Sequence, residues 1–154
     1  MKELKSRLQT TSQLPLSRQT VINIFLSNIW VKNDLLNVLK PHDLSLEQFN
    51  VLRILRGQKG NPINLQDIQE RMVNKMSNTT RLVDKLILKG FVNRHQCEEN
   101  RRKIEIFITS DGLNLLKKLD TVVDKTEQSI TSNLSQIELK NLNELLLKLK
   151  QKKQ

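Results

Sequence analysis

The residues of this chain best suited to chemistry with a partner lie between positions 75 and 102. Ser77, Asn78 and Arg81, with Lys85 one turn later, fall on one side of a helical projection, and Thr80 lies at its edge. Opposite them run Thr79, Leu82, Val83 and Leu86 at i, i+3, i+4, i+7 spacing, the stripe of a helix that buries one face. The polar side combines short side chains, which permit close approach, with an amide and a guanidinium. Those two groups can form paired hydrogen bonds to the edges of adenine and guanine. Lys75 and Lys89 flank the same segment, placed for phosphate oxygens. Such residues are also ordinary on a solvated helix, so the distribution of charge has to separate the two readings.

The formal net charge is +10, a surplus that suits a polyanionic partner such as nucleic acid or an anionic membrane surface. From Arg71 to Lys103 there are nine basic and three acidic residues, so +6 of that surplus sits in about a fifth of the chain. A merely basic surface would spread it. Arg101 and Arg102 repeat the theme on a polar loop, from which they could reach a minor groove or the flanking backbone.

The elements that must position these residues follow from periodicity and capping. A long helical pattern runs from Pro15 to Leu39 and ends at Pro41, with apolar residues on more than one side. Ser45 and Gln48 have capping-box spacing for a second helix, closed by Gly57 and Gly60. Asn64 caps a short third helix ending near Arg71 or Met72. Asn74 is read as the cap of a fourth, from about Lys75 to Lys89, with Gly90 as its left-handed terminator. The period then changes to two. Phe91–His95 and the alternation of Ile104, Ile106 and Ile108 predict a hairpin. Thr109 and Ser135 cap a fifth and a sixth helix. A short helix, a turn and a second helix are the parts of a helix-turn-helix, whose second helix enters the major groove. The long first helix and the leucine-rich last one carry more apolar surface than a single small lobe can cover, which predicts a two-fold interface.

Several classes are not suggested. There is no Gly-rich phosphate loop, nucleophile elbow or paired-carboxylate motif, so no enzyme and no cofactor are expected. His42 and His95 are isolated, so no metal site is expected. One cysteine, Cys97, excludes an internal disulfide. The absence of a signal peptide and of any long apolar run points to the cytoplasm and away from membranes.

Together, Glu47–Leu52, Ser77–Leu86, Lys89–Arg94, Asn100–Arg102 and Ile108–Gly112 make the chain resemble the MarR family of bacterial winged helix-turn-helix transcriptional regulators, over nearly its whole length. The resemblance implies a mainly α fold with a small β wing. It implies a DNA-binding lobe over about 45–108 and a helical dimerisation region from about 1–40 and 110–154, in one domain. Ser77, Asn78, Thr80 and Arg81 would meet the major groove of a pseudo-palindromic operator, and Arg102 would be the wing arginine in the minor groove. The implied function is a homodimeric repressor released by a small-molecule effector. Two other readings stand beside it: a redox-responsive regulator using Cys97, and a winged-helix protein-interaction module without specific DNA binding. Three positions depart from the family pattern. Asn100 replaces an aspartate that pairs with the wing arginine, Gln69 replaces a small apolar residue, and Asn74 stands where a buried leucine is common.

Overall fold

The computed structural model describes residues 14–96 and 104–151. Its order is α1 (Leu16–Leu39), a 3-10 turn (Lys40–His42), α2 (Leu46–Gly57), α3 (Leu65–Arg71), α4 (Thr79–Leu88), β1 (Val92–Gln96), β2 (Ile104–Ile108), α5 (Ser110–Thr131) and α6 (Gln136–Lys150). The fold is therefore mainly α with a small antiparallel wing. Contacts divide the chain into two compact units, Met1–Asn33 and Asp34–Gln154. Over its described residues the first is mostly α1, which leaves Val21, Phe25, Ile29 and Trp30 exposed.

The caps explain most element starts. The Ser45 hydroxyl accepts from the Gln48 N–H and the Gln48 Oε1 accepts from the Ser45 N–H, both at 3.1 Å. Asn64 accepts from the Asp67 N–H at 2.8 Å, and Ser135 and Glu138 complete a second capping box. These bonds satisfy amide groups that a helix start leaves without intrahelical partners.

In the second unit α2 is the central element. Val51, Leu52 and Leu55 are buried against Ile68 of α3, Val83 and Leu86 of α4, Ile106 of β2, and Leu116 and Leu119 of α5 within one hydrophobic cluster. An ion pair from Arg56 to Asp120, at 2.7 Å, joins α2 to α5 at the surface. In α5 the apolar pattern is only partly used inside: Leu116, Leu119 and Val123 are buried and Val122 is exposed. No residue of α6 is buried, and its Leu142, Leu145, Leu146 and Leu149 stripe is uncovered in the single chain.

The hairpin pairs Val92 with Ile108 through Gln96 with Ile104. The alternation in β2 does not bury all three isoleucines. Ile106 is fully buried, Ile108 partly, and Ile104 is exposed. At the buried position the hairpin has a third, single-residue partner: Ile63 exchanges backbone hydrogen bonds with Ile106 at 2.9 and 3.3 Å.

The hairpin base is held by Thr109. Its hydroxyl donates to the Gly90 carbonyl at 2.8 Å and accepts from the Gly112 N–H at 3.1 Å. Gly90 has φ +75°, the left-handed terminator expected after α4. Gly112 is required for a different reason. A Cβ there would lie 2.4 Å from the Phe91 carbonyl oxygen and 2.8 Å from Ile108. Gly112→Ala is therefore expected to destabilise the fold by about 1–3 kcal/mol through overpacking. Gly57→Ala, where a Cβ meets nothing within 4 Å, is expected to be neutral or stabilising by up to about 1 kcal/mol. Thermal melts of the two variants check the pair, and an undiminished melting temperature for Gly112→Ala would contradict the packing argument.

Candidate nucleic-acid interface

The fourth helix begins a full turn later than its sequence suggests. Asn78, not Asn74, is its N-cap, and the Asn78 Oδ1 accepts from the Arg81 N–H at 3.0 Å. Residues 72–78 form a seven-residue connection between α3 and α4. Asn74 turns the chain instead of starting the helix. Its Oδ1 accepts from the Met76 N–H at 3.1 Å and its carbonyl from the Ser77 N–H at 3.1 Å. An asparagine bonding two residues ahead competes with helix formation at that point.

Gln69 decides between the two asparagines. Its Nε2 donates to the Lys75 carbonyl, and its Oε1 accepts from the hydroxyl of Thr79, which is buried. Asn50 of α2 accepts from the Val73 N–H at 2.9 Å. The connection is thus pinned by side chains at Asn50, Gln69 and Asn74. A small apolar residue at position 69 would leave both the Lys75 carbonyl and the Thr79 hydroxyl without these partners. The departure noted in the sequence is a clamp on the start of α4.

Ser77, Asn78, Arg81 and Lys85 line one shallow concavity with Leu82 and Glu47. The expected group therefore comes together, although two of its members lie ahead of the helix. Asn78, Thr80, Arg81 and Lys85 are exposed, as is Lys75 at the tip of the turn. Ser77 is different from expectation. Its hydroxyl oxygen is buried and has no hydrogen-bond partner among the described residues. Glu47 was not expected here. It sits in the first turn of α2, where its charge favours the helix N-terminus. Arg101, Arg102, Cys97 and Asn100 lie outside the described residues. On the wing, Arg94 pairs with Asp84 of α4 at 3.1 Å, and the rings of His95 and Phe107 lie 5.9 Å apart.

A second, larger cleft of about 640 Å³ opens beside the first, lined among others by Leu36, Lys40, Leu44, Gln48, Lys85 and Leu88. Lys85 lines both. At its rim Lys89 pairs with Asp43 at 2.8 Å, and also donates to the Asp43 carbonyl. The hydrogen bond from Lys89, followed by its charge, holds the Asp43 carboxyl below its ordinary range. The tie is in place above the ordinary carboxylate pKa and is lost as pH falls through the lowered one.

A short helix, a pinned turn, a second helix with a polar exposed end, and a two-stranded hairpin behind them define a winged helix-turn-helix protein. The model of the MarR family matches residues 44–104, the span of this lobe. The uncharacterized HTH-type transcriptional regulator YfiV of Bacillus subtilis is 35% identical over 77 residues, 50% of this chain and 47% of that protein, so the match spans about half of that relative. The HTH-type transcriptional regulator SarZ of Staphylococcus haemolyticus is 28% identical over 82% of this chain and 84% of its own length. A cysteine-to-serine mutant of MarR from E. coli, solved in complex with operator DNA, superposes with a TM-score of 0.76 at 26% identity, covering 90% of this chain and 95% of that one. Residues 44–104 of the chain form a MarR-family winged-helix lobe.

Asn78→Ala is expected to remove the cap of α4 and lower stability by about 1 kcal/mol. Asn78→Asp retains an acceptor for the Arg81 N–H and should keep the parent melting temperature. If both variants melt like the parent, Asn78 is not holding the helix start.

Proposed function

We propose that this chain is a sequence-specific DNA-binding transcriptional regulator, acting in the cytoplasm as a homodimeric, ligand-responsive repressor on a pseudo-palindromic operator. The observation that carries the reading is the N-terminal end of α4. There Asn78, Thr80 and Arg81 are exposed together, with Lys75 and Lys85 on either side. In a helix-turn-helix this is the end that meets base edges. Asn78 spends its oxygen on the cap, so its amide nitrogen is the group left for an acceptor on a base. Arg81 has the geometry for guanine. Lys75 and Lys85 serve the phosphates on either side, and Arg102 enters the minor groove.

The repressor responds to a ligand through the larger cleft. Lysines at 40 and 85 among leucines at 36, 44 and 88 suit an organic anion with an apolar body. Lys85 cannot hold that anion and a phosphate at once, so occupancy of the cleft weakens DNA binding.

Gel shifts over a range of salt test the DNA reading. Log affinity should fall linearly with log salt, with a slope of about −0.9 for each phosphate neutralised. Lys85→Ala should reduce that slope by about one and weaken all sequences alike. Arg102→Ala should weaken operator binding severalfold with the melting temperature unchanged. A flat salt response sinks the proposal.

The dimer rests on uncovered apolar side chains. Phe25 of α1 is 63% exposed and Leu145 of α6 is 64% exposed, each within a run of similar neighbours. A second copy of the chain covers them. Light scattering at micromolar concentration should give twice the chain mass, and Leu145→Glu should shift the protein toward monomer. A parent protein that is monomeric under those conditions would show the apolar stripes to be unpaired.

A further inference from the structure

The pinned turn before α4 presents two side chains that do not fit a solvated surface. Val73 is 91% exposed and Met76 is 93% exposed, and both are apolar. They are not on a loose loop. Asn50 holds the Val73 N–H, Asn74 holds the Met76 N–H, and Gln69 holds the Lys75 carbonyl between them. Met76 sits at a corner of the turn closed by the Ser77 N–H and the Asn74 carbonyl. Three side chains from α2, α3 and the turn itself thus set the backbone that aims Met76 into water.

Its surroundings name the partner chemistry. Lys75 precedes it, and Ser77, Asn78 and Arg81 line the concavity that begins at the next residue. An apolar tip ringed by cations and hydrogen-bond donors is poorly matched to an apolar protein surface, which would strip water from the charges. It is well matched to a major groove, where phosphates flank the one apolar group that a base pair offers, the C5-methyl of thymine.

We propose that Met76 is a specificity-determining residue that reads a thymine methyl group at the edge of the α4 footprint. The inference rests on the DNA-binding reading above and adds to it an apolar contact at a position ahead of the helix. Methionine suits the task, since its unbranched, polarisable side chain adapts to a methyl surface without demanding one rotamer. Val73, three residues earlier on the same pinned segment, is the companion apolar group.

The test uses a duplex that the full chain enriches from a random pool. Each thymine is replaced in turn by uracil, which removes only the methyl and keeps the pairing. The parent should lose about fourfold in affinity at one or two thymines, the size expected for one buried methyl-sized group. Met76→Ala should bind the unsubstituted duplex correspondingly more weakly and lose nothing further at those same positions. Met76→Leu should keep most of the uracil sensitivity. Because the side chain is exposed, all three proteins should melt alike. If uracil costs the parent nothing, or costs Met76→Ala as much as the parent, Met76 does not read a methyl, while the DNA-binding reading stands. If no duplex is enriched at all, both readings fall together.

Discussion

The side-chain amide of Gln69 serves the Lys75 carbonyl on one side and the Thr79 hydroxyl on the other, and the geometry of the candidate interface depends on it. Thr79 is buried, so its hydroxyl needs a partner inside the protein. Lys75 lies in a turn, so its carbonyl has no helical partner. One amide answers both needs and thereby decides where α4 begins. Everything that faces outward at that end then takes its place from this start: Asn78 as cap, Thr80 and Arg81 in the first turn, Lys85 a turn further on. A side-chain bond can decide this because the alternatives are nearly equal. Two asparagines four residues apart can each cap a helix, and a single satisfied or orphaned buried hydroxyl is worth enough to choose between them.

Most of the architecture was legible because it is written locally. Ser45, Asn64, Thr109 and Ser135 stand where capping residues should, each followed at the right distance by its helix, and each accepts the bond its position implies. The stripe Thr79, Val83, Leu86 is buried as its spacing requires. The start of α4 was not legible at Asn74, because the deciding contacts come from Gln69 and Asn50, on other helices. The same holds for β2. Period two identifies a strand, but not that Ile106 alone is fully buried, nor that it bridges to Ile63, which lies far away in sequence and shows no strand pattern of its own.

The candidate site divides in the same way. Residue type and spacing were enough to gather Asn78, Arg81 and Lys85, since helical neighbours stay neighbours even when the helix is shortened. They did not reveal that the Ser77 hydroxyl is buried in the connection. They also passed over Met76, because an isolated methionine in a polar stretch carries no periodicity to mark it. Its exposure becomes informative only once the turn is known to be held by three side chains.

Lys85 lines both the shallow concavity at the end of α4 and the larger cleft beside it. If the cleft takes an anion and the end of α4 takes DNA, as proposed, the shared ammonium makes their occupancies thermodynamically linked, and linkage is symmetric. Whatever factor an anion in the cleft takes from the affinity for DNA, bound DNA takes from the affinity for the anion. On the proposed reading, the protein free in solution would capture the anion at lower concentration than the protein seated on DNA. The threshold for release would then depend on how many specific sites compete for each molecule, so the dose that triggers it would be a property of the protein and its binding sites together.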